Sequence, residues 1–312
     1  METLRQAQGE RYYEIMMIEN SKRLSPDVVL KIKQLEIFTR RLLNGALVGD
    51  SRSAIKGTGF EFDQIRDYNC GDDIRFIDWK ASARNNKLLI KQYREERNRT
   101  IYVAVDVSQS SIFGSGVFNK QEKIVELASV LALVAQHGKD HVGLLLFSDN
   151  IEEYVPPGSS LQHVHFIMEK LLTVQPKRAQ TDISAALKHL LSVKKGDAIL
   201  FLISDFIDNT FDTYLAQVSK RFDVIAVRCL DVNEKVIPAV GFITMQDLET
   251  GDLIEVDMRH KNKNYIKQVL AERIEKQNKL FQKHRIDLFE ISPDRTDYLG
   301  KLIRFFRQRM MY

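Results

Sequence analysis

The sequence predicts an α/β protein in which a mostly parallel sheet is covered by helices on both faces. Three observations lead to this fold class. Short apolar runs, rich in β-branched residues, alternate with segments of helical periodicity from residue 99 onward. The apolar runs contain few polar residues, as strands buried on both faces require. The intervening helical segments are long enough to carry the chain back to the next parallel strand.

The predicted elements follow one another in a regular order. Glu249-Thr250-Gly251-Asp252 is a hairpin signal between two apolar runs, so a β-hairpin is expected near 242–257. A basic helix is expected at the end of the chain. The predicted strands are 101–107, 142–147, 151–155, 198–203, 224–229 and 286–291, and the predicted helices are 120–136, 161–172, 181–191, 211–219, 263–284 and 298–310.

Two segments precede this α/β domain, which we place at 99–312. Residues 1–48 are predicted to be helical, with Ser25-Pro26-Asp27 as a helix start and Asn44-Gly45 as its stop. Residues 49–98 combine glycines with short segments dense in charged and aromatic residues, which predicts a β-rich or irregular module.

Composition indicates an ordinary globular protein. The chain has 312 residues, of which 44% are hydrophobic and 28% charged, and its net charge is only +4. Such a small excess does not by itself favour nucleic-acid binding. The two cysteines lack a CxxC spacing, the first residues lack the apolar core of a signal peptide, and no apolar run reaches the roughly 18 residues of a membrane helix. We therefore expect a cytoplasmic protein with no membrane span.

Five hydroxyl and carboxylate side chains are expected to meet at the carboxyl ends of the strands. The end of the first strand of the domain delivers Asp106, Ser108 and Ser110, the helix that starts near residue 181 presents Thr181, and Asp205 follows a buried strand. Asp106 is expected to lie on a surface loop. Oxygen ligands alone suit Mg²⁺, with Mn²⁺ as a substitute. Because three of the ligands are neutral, the ion could accept a carboxylate from another molecule. The plain alternative is that these side chains only satisfy backbone groups in a loop and a helix start.

This set of residues resembles the metal-ion-dependent adhesion site of von Willebrand factor A domains, which have a Rossmann-like sheet. More narrowly, the chain from about Ser25 to its end resembles the bacterial domain of unknown function 58 family. Cys70, Asn85 and Ser111 depart from the family's usual residues without removing a metal ligand. The family hallmark is matched by Gly57-x-Gly59-x-Glu61-Phe62, Arg66-x-Tyr68, Gly71-Asp72-Asp73-Ile74-Arg75-x-Ile77-Asp78-Trp79-Lys80, Ala83-Arg84, Phe201-Leu202-Ile203-Ser204-Asp205-Phe206 and Glu249-Thr250-Gly251.

The resemblance implies a binding protein and not an enzyme. It implies an adaptor that acts with a MoxR-type AAA+ ATPase in protein maturation or complex assembly. One alternative is a Mg²⁺-dependent phosphatase or phosphotransferase with Asp106 as nucleophile, although Ser108 stands where such enzymes place a second carboxylate. A third class, a nucleic-acid-binding protein, is supported only by the pI of about 8.8.

A second charged cluster lies in the hallmark segment. Arg75, Asp78, Lys80 and Arg84 surround Trp79 in the sequence. They could bind a partner or a nucleotide, but we favour a structural network in which Trp79 is the buried anchor.

Overall fold

The computed structural model describes residues 25–47, 60–69, 72–95, 99–108, 120–175, 180–193, 197–208, 211–230, 242–246, 253–257, 260–292 and 300–305. Two compact units divide the chain. The large unit comprises Met1–Leu42 and Arg99–Tyr312, and the small unit comprises Leu43–Asn98.

Helix α1, Pro26–Leu47, begins where the sequence predicts. The Ser25 hydroxyl accepts a hydrogen bond from the N–H of Val28, and proline at the first helical position loses no helical hydrogen bond. Ile32 is buried in the core of the large unit, and Glu36 pairs with His165 at 2.6 Å. The helix continues past the predicted stop at Asn44-Gly45 by two residues.

The small unit is built on an antiparallel pair of strands. Strand β1, Phe60–Asp67, pairs with β2, Leu89–Glu95. A turn of 3₁₀ helix, Ile74–Phe76, and the short helix α2, Trp79–Asn85, connect them. The described part of 49–98 therefore has the β-rich character expected of it, with no long helix.

The described elements of the large unit interleave strands with helices in the predicted order. The segment predicted to form a helix over 298–310 is described only over 300–305, where it is helical. In chain order the elements are β3 (Thr100–Asp106), α3 (Lys120–His137), β4 (His141–Phe147), β5 (Ile151–Gly158), α4 (Leu161–Thr173), α5 (Ile183–Val193), β6 (Ala198–Ser204), α6 (Asp212–Val218), β7 (Phe222–Cys229), β8 (Phe242–Gln246), β9 (Leu253–Asp257), α7 (His260–Lys283), β10 (Asp287–Ile291) and α8 (300–305).

Six strands form the sheet of the large unit, in the order β10-β7-β6-β3-β4-β5. All neighbouring pairs are parallel except β4 and β5, which are antiparallel. The predicted mostly parallel α/β sheet is confirmed. In the region of the predicted hairpin, β8 and β9 pair with each other in a separate antiparallel ribbon, and the Glu249–Asp252 turn lies outside the described residues.

Helices cover both faces of the sheet. Helices α1, α3 and α4 contribute to the core on one face, and α5, α6 and α7 contribute to the core on the other. Burial on both faces explains why the strand sequences are almost wholly apolar. Among the residues that the structure describes, no helix is both long and apolar enough to cross a membrane.

Candidate functional site

The candidate site lies where the chain changes direction across the sheet. After β3 the chain passes to β4 on one side, and later returns to β6 on the other side of β3. The connections therefore leave in opposite directions at the carboxyl ends of β3 and β6. Such a switch point is where open α/β sheets form crevices for ligands.

Asp106 is the last residue of β3, and its carboxylate is held on both oxygens. Oδ1 accepts a hydrogen bond from the N–H of Ser108 at 3.0 Å, and Oδ2 accepts one from the Ser204 hydroxyl at 2.7 Å. Burial, followed by the neighbouring charge of Asp205, raises the pKa of Asp106 to about 6. The sequence-based expectation that Asp106 lies on a surface loop is wrong, since the residue is 1% exposed.

Asp205 follows β6 directly and is bound by a lysine. Its Oδ2 lies 3.0 Å from the Nζ of Lys120, and both side chains are 1% exposed. Its Oδ1 accepts a hydrogen bond from the N–H of Ile207 at 3.2 Å. Lys120 is the first residue of α3, and sequence reasoning missed it. A signal was present, because a cation at the positive end of a helix dipole is unfavourable without a local anion.

Thr181 lies across the end of β3. The next residue, Asp182, donates its N–H to the carbonyl of Ser148, which follows β4. Ile183 donates its N–H to the carboxylate of Asp208, beyond β6. The segment thus reaches from the end of β4 to the end of β6, and β3 lies between these strands.

The Thr181 hydroxyl is buried and has no hydrogen-bond partner. A buried polar group left in this state costs about 1–3 kcal/mol. A metal ion coordinated by this hydroxyl oxygen would remove this cost. A role for Thr181 as a metal ligand would explain why this hydroxyl has no protein partner.

The donor set fits a hard divalent cation. Asp106, Ser108, Thr181 and Asp205 are assembled from three separate segments at one edge, whereas Ser110 lies outside the described residues. The described residues contain no metal-like cluster of three or more His, Cys, Asp or Glu side chains. A metal at this edge would therefore depend on hydroxyl oxygens and water as well as carboxylate, which is the coordination that Mg²⁺ accepts.

A strained turn positions Asp205. The next residue, Phe206, has φ 56°, a left-handed conformation that bulky residues rarely adopt. The Phe206 carbonyl accepts a hydrogen bond from Gln277 at 2.6 Å, and Gln277 in turn accepts one from the buried guanidinium of Arg228 at 2.9 Å. Arg228 also pairs with Glu290. Arg228, Gln277 and Glu290 lie on β7, α7 and β10, so no local sequence signal links them.

The charged cluster of the small unit differs from the predicted network. Asp78 caps α2 by accepting the N–H groups of Lys80 and Ala81, and it pairs with Lys91 at 3.3 Å. Trp79, however, is 66% exposed, so its predicted role as a buried anchor is wrong. The first turn of a seven-residue helix holds the indole on its outer side.

Comparisons with known proteins identify relatives but no activity. An uncharacterized protein of Mycobacterium tuberculosis strain H37Rv is 25% identical over 287 residues, which cover 91% of this chain and 90% of the relative. The uncharacterized protein YeaD of Bacillus subtilis is 30% identical over 74 residues, covering 24% of this chain and 17% of that protein.

One solved structure shows a distant likeness. The conserved hypothetical protein BatB from Bacteroides thetaiotaomicron aligns with TM-score 0.45 and 12% identity over 69% of this chain and 100% of its own. This likeness is too weak to carry an argument about the site. The family comparison is specific, because the model described as "Protein of unknown function DUF58" matches residues 64–277, more than half of the chain. The chain therefore belongs to the DUF58 family.

Proposed function

We propose that this chain is a metal-dependent protein-binding module of the von Willebrand factor A type. In this proposal Asp106, Ser108, Ser110, Thr181 and Asp205 hold Mg²⁺, with Mn²⁺ as a substitute. The observation that carries the proposal is the buried, partnerless hydroxyl of Thr181, in a segment that reaches from the end of β4 to the end of β6, where two carboxylates are also buried. A bound dication would supply positive charge to the carboxylates and a partner to the hydroxyl.

The geometry supports binding more than catalysis. A nucleophilic aspartate must reach its substrate, but Asp106 is buried and both of its oxygens accept hydrogen bonds. The residue two positions on is Ser108, so the second carboxylate of an aspartate-nucleophile phosphatase is missing. The proposal is therefore a non-catalytic protein, and the phosphatase alternative is less well supported.

The partner is proposed from the chemistry of the metal and from the family resemblance. A dication with neutral hydroxyl ligands readily exchanges a bound water for an external carboxylate. The edge of the sheet that carries the candidate ligands Asp106, Ser108, Thr181 and Asp205, here called the metal edge, would therefore bind an acidic side chain of a protein partner. The resemblance supplies a MoxR-type AAA+ ATPase as the candidate, with the chain acting in the cytoplasm as its adaptor in maturation or assembly.

Replacing Thr181 by valine tests the metal site with little change of shape. Thr181→Val removes one hydroxyl that has no protein partner, so the apoprotein should keep its stability or gain slightly. Loss of a ligand oxygen should weaken Mg²⁺ or Mn²⁺ binding by about tenfold or more. Calorimetric titration of the full chain measures the affinity, and Asp106→Ala should abolish binding.

Thr39→Val is the matched control. Thr39 also has a buried hydroxyl without a hydrogen-bond partner, but it lies on α1 and not at the strand ends. The control should bind the metal with wild-type affinity. Equal affinities for wild type and Thr181→Val, with both proteins folded, would show that the hydroxyl is not a ligand.

A further inference from the structure

The Lys120–Asp205 ion pair places a protein cation beside the candidate metal position. Nζ and Oδ2 are 3.0 Å apart, and solvent is excluded from both side chains. Buried charges interact strongly because water does not screen them. A divalent cation bound through Asp106 and Thr181 would therefore experience the charge of Lys120.

The buried formal charges at this edge can be counted. Among the described residues, the buried ionisable groups at the site are Asp106, Asp205 and Lys120. The connecting residues 109–119 contain no charged residue in the sequence. Two carboxylates and one ammonium leave a net charge of about −1 when all are ionised. Adding a dication changes this to about +1, whereas without the lysine it would be about 0.

Other acids nearby are placed differently. Asp182 and Asp208 are half-buried and accept the N–H groups of Ala185 and Ile183 at the start of α5. Asp149 and Glu152 are half-buried beside Ser148. Their partial contact with solvent screens them more than the three buried groups. The buried groups therefore dominate the charge balance around a bound ion.

We infer that Lys120 makes metal binding depend on an acidic ligand. This inference rests on the proposed metal site and adds a regulatory residue to it. With Lys120 in place, the metal alone leaves an excess positive charge in a buried site, so its affinity is low. A carboxylate from the partner cancels that excess. Metal and carboxylate then strengthen each other's binding by the same factor, as thermodynamic linkage requires.

Removing the ammonium of Lys120 should weaken the dependence of metal binding on an acidic ligand. Lys120→Met preserves the length and apolar character of the side chain but removes its charge. In chloride solution, Lys120→Met should bind Mn²⁺ about tenfold or more tightly than wild type, because a repulsive unit charge is lost. When acetate replaces chloride at constant ionic strength, wild-type affinity should increase. The increase should be smaller in Lys120→Met.

The controls separate this effect from a general effect of the helix. Lys123→Met removes a lysine of the same helix whose ammonium pairs with Glu126 at 2.9 Å, and it should behave as wild type. If Lys120→Met does not fold, Lys120→Gln carries the test, because its amide can still donate to Asp205 without a charge. Circular dichroism checks the fold of each variant.

Two results have different consequences. Folded Lys120 variants that bind Mn²⁺ with wild-type affinity and show the wild-type gain from acetate would overturn the inference while leaving the metal site in place. Wild-type chain that binds Mn²⁺ no better than Asp106→Ala would overturn the proposed function itself, and the inference with it.

Discussion

Buried polar side chains behind the candidate site form a continuous hydrogen-bonded path. It leads from the Phe206 carbonyl through Gln277 to Arg228, whose guanidinium also binds Asn278 and Glu290. A single buried guanidinium is tolerated because each of its neighbours accepts from it. The same path holds the backbone of Phe206 in its left-handed conformation next to Asp205.

Gln277→Leu should destabilise the large unit. The change leaves the buried Phe206 carbonyl without its donor and one N–H of Arg228 without its acceptor. Each unsatisfied group should cost about 1–3 kcal/mol of unfolding free energy, with the charged guanidinium at the upper end. Urea unfolding measures the loss.

Gln268→Leu on the same helix is the control for this prediction. Gln268 is exposed and donates to the exposed Glu272 at 2.8 Å, so its replacement should change stability by less than about 0.5 kcal/mol. Similar losses in the two variants would contradict the structural role of Gln277.

A bidentate ion pair joins strand β1 of the small unit to the segment that follows it. Arg66, on β1, donates to both carboxylate oxygens of Asp72 at 2.7 Å. The Arg66 hydrogen bonds, followed by the N–H of Asn69, lower the pKa of Asp72 to about 2. The pair fixes the chain that leaves β1, since Asn69 and Asp72 belong to the same turn.

Arg66→Gln should return the pKa of Asp72 towards the ordinary value of about 3.9. Because the folded-state pKa is depressed, the pair contributes stability above about pH 4 and loses it as the pH falls through about 2. Carboxyl-detected NMR titration of the full chain measures the pKa directly. Arg75→Gln is the control, because Arg75 pairs with Asp73. An Asp72 that titrates near 3.9 in the wild type would contradict the prediction.

At the scale of the molecule, the order of strands determines where the candidate ligands lie. The switch point between β3 and β6 brings the candidate ligands to one edge of the sheet. A single metal–carboxylate contact is too small to define a specific partner, so other loops must extend the interface to at least roughly 1,000 Å². Under the proposed function, binding should therefore depend on both the metal and the surrounding surface.

Capture of a MoxR-type ATPase from native lysate by the full chain should require Mg²⁺. EDTA should reduce capture strongly, and Thr181→Val in Mg²⁺ should weaken it in the same direction. Arg304→Glu is a control, because Arg304 is exposed and its side chain donates to the Gly300 carbonyl within its own helix. We expect reversal at Arg307, in the segment predicted to be helical over 298–310, to matter equally little, but this residue lies outside the described part of the chain. Capture that is equal in EDTA, in Thr181→Val and in wild type would exclude the metal edge as the binding surface.

Local sequence patterns determined the fold class and identified the candidate ligands. Apolar periodicity is a property of each segment, so the strands, the helices and the hairpin could be predicted without contacts. Because carboxyl ends of parallel strands share an edge, Asp106 and Asp205 could be expected at the same edge. The sequence likewise shows which hydroxyl and carboxylate side chains are available at that edge.

Tertiary structure decided the properties that depend on distant neighbours. The packing of helices on the sheet determines three such properties. These are the burial of Asp106, the pairing of Lys120 with Asp205 across 85 residues, and the path from Gln277 to Phe206 across 71 residues. Exposure of Trp79 is equally a matter of which side of α2 meets the hairpin. Such long-range contacts leave no periodic signal, because the interacting residues are separated by whole elements. The sequence therefore names the candidate ligands, whereas only packing decides their charge balance.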